Sequence, residues 1–108
     1  MKIKTLKKMH KYINKYMFWG LLDMPNFVII DPEQTLYGFA LDGYCENCGD
    51  GNFMIGITKH LTMQNAFDTM VHEMIHQYQM EFKDYAGHGK KFKKMCRKGI
   101  DIFYPNML

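Results

Sequence analysis

An α+β fold is predicted by three observations. Apolar residues recur with helical spacing near both ends of the chain and again over residues 64–81. Between the first two helical stretches lie three apolar runs with the short lengths of strands, at 27–30, 36–41 and 53–58. At 108 residues, with 47% hydrophobic and 23% charged, the chain is sized for a single domain spanning 1–108. No repeat or low-complexity tract appears, and the hydrophobic content excludes a disordered chain.

The first element follows from Ile3, Leu6, His10, Ile13 and Met17, which lie along one helical stripe flanked by lysines. A helix is expected from about residue 3 to 22, ending before Pro25. A basic amphipathic helix can lie on a membrane; packing its apolar stripe on the core is the use expected here. Residues 27–30 (Phe-Val-Ile-Ile) read as a short buried strand closed by Asp31-Pro32. Residues 36–41 are the second strand, with Tyr37, Phe39 and Leu41 alternating. A loop dense in turn formers is expected over 42–52, and a third strand over 53–58 with Phe53, Ile55 and Ile57 on one face. The second and third strands with that loop would form a hairpin. From about 64 to 81 the pattern is helical, with Phe67, Met70, Val71, Met74, Ile75 and Tyr78 on the buried side and Thr62 or Asn65 available as a cap. A loop over 83–87 precedes a last helix from about His88 to Phe103, stopped by Pro105. The eleven methionines fall mostly on apolar helix faces and read as core filler.

The net charge of +3 hides a segregation. Lysines 2, 4, 7, 8, 11 and 15 occupy the first helix with no acid among them, and Lys90, Lys91, Lys93, Lys94, Arg97 and Lys98 occupy the last. Ten of the eleven acids lie between Asp23 and Tyr85. Basic stretches 2–15 and 90–98 are compatible with DNA or another anionic partner, and equally with solvated helix faces. The longest apolar run, residues 16–22, is far too short to span a membrane, and no cleavage site follows it. A soluble cytoplasmic protein is expected. Three cysteines, Cys45, Cys48 and Cys96, are too few for a disulfide framework. Cys45-x-x-Cys48 is half of a four-sulfur metal site, and free loop thiols are the preferred reading.

His72-Glu73-Met74-Ile75-His76 fits the pattern H-E-x-x-H on a helix. Residues four apart stand one turn above each other, so two imidazoles can reach one zinc ion at about 2.0–2.1 Å. Glu73, about 100° round the helix, can take a proton from a water at the site without itself being a ligand. With five His and four Glu in the chain, chance would supply the pattern about 0.01 times. A catalytic zinc needs a third protein ligand and an open position. Gln79 and Phe82 stand where the metzincin continuation wants glycine and histidine, which excludes that class. Glu81, Asp84 and His88 are the candidates. Glu81 would point past the metal, Asp84 suits a supporting or capping role, and His88 can be folded back by the preceding loop. Tyr78 and Tyr85 lie in the region where an oxyanion stabiliser would stand, although packing is the more ordinary role for both. His10 and His60 read as ordinary surface or partly buried histidines.

With Gly87-His88-Gly89-Lys90-Lys91-Phe92, the motif resembles the SprT-like (Spartan-type) metalloprotease domain, in which H-E-x-x-H is followed by G-H-G-x-x-F. The resemblance extends to the upstream order of helix and strands. It implies a zincin-like domain with one catalytic Zn2+ held by His72, His76 and His88, and Glu73 as the catalytic glutamate; the expected departure is a minimal form, without the C-terminal zinc ribbon or DNA-binding tail of larger relatives. Phe92 would be a packing residue. It further implies a zinc endopeptidase acting on protein or peptide, with DNA-associated or DNA-crosslinked proteins as substrates. The alternative is a non-catalytic, zinc-stabilised nucleic-acid-binding module, against which an intact Glu73 argues.

Overall fold

The computed structural model describes residues 1–33, 42–83 and 86–106. Three helices and a three-stranded mixed sheet follow in the order α1 (Ile3–Met17), β1 (Asn26–Ile30), β2 (Gly43–Gly49), β3 (Asn52–Thr58), α2 (Met63–Phe82) and α3 (Lys90–Phe103). The α+β class and the presence of the three predicted helices are thereby observed, with differences at their ends.

Helix α1 turns Leu6, Met9, His10, Ile13 and Met17 inward and leaves its lysines in solvent. It is five residues shorter than expected. The Asn14 side chain holds Leu22 at both backbone groups, donating to its carbonyl at 3.0 Å and accepting from its N–H at 3.1 Å. The chain reverses between them through Trp19 and Gly20, both in the left-handed region. A local side-chain clamp outcompetes continued helical hydrogen bonding there.

Strand β3 is central, parallel to β1 and antiparallel to β2, in the order β1-β3-β2. Phe53, Ile55 and Ile57 of β3 are buried on one face, as expected. β1 is an edge strand with alternating exposure, so Val28 meets solvent while Phe27 and Ile29 pack on the core. The expected second strand at 36–41 lies outside the described residues. The partner of β3 is instead Gly43–Gly49, within the segment read as a loop. Its turn formers are tolerated because it is an edge strand whose outer half faces water, and pairing to β3 overrides weak local preference. Asp50 and Gly51, both at positive φ, make the two-residue turn of the hairpin, and a bulge between Asn47 and Gly49 adjusts the register.

Gly43 brings β2 close to α2: a Cβ there would come within 2.7 Å of both the Gly56 carbonyl oxygen and the Thr69 methyl. Helix α2 is capped by the Thr62 hydroxyl, which accepts from the Asn65 N–H at 3.1 Å. Its Ala66, Met70, Met74 and Ile75 are fully buried against α1, β3 and α3. His72 and His76 of α2 face the loop before α3.

His10 differs from its expected place. It is fully buried, with Nε2 donating to Gln77 Oε1 at 2.9 Å and its ring edge against Phe27. Gln77 in turn donates to the Asp23 carbonyl at 2.7 Å and to Glu81 at 3.0 Å, tying α1, α2 and the turn after α1 together. His60 is exposed, as expected.

Candidate metal centre

His72 and His76 project from successive turns of α2, and His88 comes from the loop before α3. That helix starts at Lys90, two residues later than predicted, with Gly89 as its extended N-cap. His88 is therefore a loop residue. Its Nε2 lies 3.0 Å from that of His76 and 3.3 Å from that of His72. Among the described residues these three form the group able to share a metal ion.

The donor chemistry fits a zinc-like cation. Nitrogens bound tetrahedrally at about 2.0–2.1 Å stand roughly 3.3 Å apart, close to the spacings found here. Gln79 fixes the tautomer of one of them. Its amide nitrogen donates to the Gly87 carbonyl at 3.1 Å, which leaves Oε1 to accept the Nδ1 proton of His76 at 2.8 Å. The Nε2 of His76 is then an unprotonated lone pair aimed into the cluster. Gln79 is 2% exposed and also braces the loop that delivers His88. Burial and the neighbouring imidazoles lower the pKa of His72, which favours the neutral, ligating form.

Phe92, from the first turn of α3, underlies the cluster. Its ring stacks on His76 at 4.7 Å and meets His72 at 4.9 Å and His88 at 4.6 Å edge-on. It is 4% exposed, so the three imidazoles are backed by a fixed apolar surface.

Glu73 stands outside the nitrogen cluster, on the wall of a cleft of about 310 Å³ shared with Asp42, Gly43, Asp68, Thr69 and His72. Burial pushes its carboxyl up to about 7. A carboxyl poised there can exchange a proton near neutral pH.

Other sequence candidates are not brought in. Glu81 bonds Gln77 and the Asp23 N–H, away from the histidines, as its position on the helix required. Asp84 and Tyr85 lie outside the described residues. Tyr78 packs on Phe18 and Phe82 and lines a different groove. Cys45 and Cys48 lie on strand β2 and are free thiols, as is Cys96. Burial pushes the Cys45 thiol up to about 12. The part played by Gln79 was missed from sequence. The available signal was an amide three residues beyond His76, at helical reach of its ring.

Basic residues gather elsewhere. Lys83, Lys91, Lys94, Arg97 and Lys98 line a groove of about 870 Å³ along α3, with Tyr78 in its wall. Lys98 lies 3.7 Å over the exposed Trp19 ring. No helix among the described residues is long and apolar enough to cross a membrane.

A helix bearing H-E-x-x-H, a third histidine from the following loop and a small mixed sheet together define a metallopeptidase-like domain. The SprT-like family model matches residues 6–103, nearly the whole chain, and the protein belongs to the SprT-like family. No curated protein and no solved structure matches it.

Proposed function

We propose that the protein is a zinc-dependent endopeptidase in which His72, His76 and His88 hold one zinc ion and Glu73 is the general base. The convergence of three imidazole nitrogens beside a buried carboxyl carries this reading. Zinc bound there would supply Lewis acidity, polarising a peptide carbonyl and easing deprotonation of water. Glu73 takes the proton of the attacking water and hands it to the leaving amine. Gln79 holds the His76 ring in the ligating tautomer, and Phe92 keeps the imidazoles in place. Glu73→Gln is expected to retain zinc and lose cleavage of an unfolded protein substrate by a factor of roughly 10² or more. Cleavage that persists in the zinc-loaded variant would remove the assignment.

The same reading takes DNA-associated or DNA-crosslinked proteins as substrates. Family membership supports it, as do the exposed α1 lysines and the basic groove along α3. Affinity for single- or double-stranded DNA should then fall steeply with salt, as release of counterions from phosphate contacts requires. Absence of binding at low salt would leave a peptidase without DNA direction.

A further inference from the structure

Two cavities border His72. One is the cleft it shares with Glu73. The other, about 320 Å³, lies between the N-terminal half of α2 and the C-terminal half of α3, walled by Val71, Cys96, Gly99, Ile100 and Phe103. We propose that this second cavity is a substrate side-chain pocket, taking a leucine, isoleucine, methionine or phenylalanine that flanks the scissile bond. The inference rests on the peptidase reading above.

Placement is the first argument. A peptide crossing the histidine cluster toward Glu73 passes His72, which lines both cavities, so a flanking side chain is delivered to the mouth of the second. Size is the second: the volume lies near the lower end of the roughly 300–1,000 Å³ typical of ligand pockets, suited to one large side chain.

Chemistry is the third. The walls are mainly aliphatic, aromatic and thiol, with Gln64, Asp68, His72 and Tyr104 adding polar groups to the lining. The carboxylate at the cavity, Asp68, already accepts the Tyr104 hydroxyl. Lys91, Lys94, Arg97 and Lys98 of α3 line the other groove. An acidic side chain entering here would give up water and meet the Asp68 carboxylate without a cationic partner, whereas an apolar one loses nothing. The walls are also anchored. Phe103 meets Phe67 edge-on at 5.1 Å, and Gly99 is buried with Val71 and Met17 closest to it. Ile100, 45% exposed, forms the rim.

The test uses the zinc-loaded full chain and a peptide series that varies only the residue on one or the other side of the scissile bond. At one side, Leu or Phe should exceed Asp by about tenfold to a hundredfold in kcat/KM. Ile100→Glu should reduce that ratio by about tenfold, with zinc content and circular dichroism unchanged. A second readout does not need hydrolysis. In the Glu73→Gln variant, a Leu-bearing peptide should slow alkylation of Cys96, followed by peptide mapping, and its Asp counterpart should not. Where cleavage occurs, equal rates at both sides, an unchanged ratio in Ile100→Glu or unaltered Cys96 labelling overturns the pocket and leaves the peptidase standing. If chelator-sensitive cleavage is absent yet the Leu peptide still protects Cys96, the peptidase reading falls and the apolar pocket stands. If both are absent, both fall.

Discussion

Gln79 braces the histidine cluster from outside it. Its amide is used twice, once to hold the His76 tautomer and once to hold the loop bearing His88. Replacing it with leucine keeps most of the volume and removes both bonds. Zinc affinity should fall about 10–100-fold, measured by competition with a chromogenic chelator, because outer partners of this kind contribute on that scale. His10 gives a prediction in pH. Burial holds its pKa below the ordinary 6.5, so the folded state keeps the ring neutral. Well above about pH 6.5 both folded and unfolded chains are neutral at this position, and it adds no pH dependence. Below that, the unfolded chain takes up the proton first, so stability falls with falling pH until the folded ring also protonates. Urea unfolding across pH 7.5 to 5 should show a shallower slope in His10→Phe than in the wild type, the remainder coming from groups such as His72 whose pKa burial also lowers.

At the scale of the element, β2 depends on a close approach that only glycine permits. Gly43→Val would drive a side chain into the Gly56 carbonyl and Thr69, forcing the strand away from α2. We expect a loss of about 1–3 kcal/mol in unfolding free energy, with a further loss of activity because Gly43 also lines the cleft beside Glu73. How far these elements were legible in sequence depends on where their determinants lie. The apolar spacing of α2 and α3 and the alternation of β3 were readable because burial is periodic in them. The end of α1 was not, since it rests on an asparagine clamping a residue eight positions away. β2 was not either, since Gly-Tyr-Cys-Glu-Asn-Cys-Gly is held as a strand by its neighbour rather than by its own preference. The Asp50-Gly51 pair was the local signal for that hairpin.

For the whole molecule, the histidine motif and the third histidine could be found along the chain because ligand spacing on a helix and a flanking loop are sequence-local. Their convergence on one point, the backing by Phe92 and the cleft with Glu73 required α2, α3 and β2 to pack together. The metal should therefore couple to the fold as a whole. Zinc removal by a chelator should lower the unfolding temperature, and restoring zinc should recover it, because ligands brought from α2 and the following loop meet only in the native state. An unchanged melting temperature between the metal-free and zinc-loaded forms would mean that the cluster does not hold the ion.

The central claim, a catalytic zinc served by Glu73, is tested most directly by measuring zinc content and cleavage of an unfolded protein substrate on the same preparations of wild type, Glu73→Gln and His88→Ala. One zinc per chain with chelator-sensitive cleavage is predicted for the wild type, zinc without cleavage for Glu73→Gln, and sharply weakened zinc binding for His88→Ala. Undiminished cleavage by zinc-loaded Glu73→Gln, or unchanged zinc affinity in His88→Ala, would contradict it.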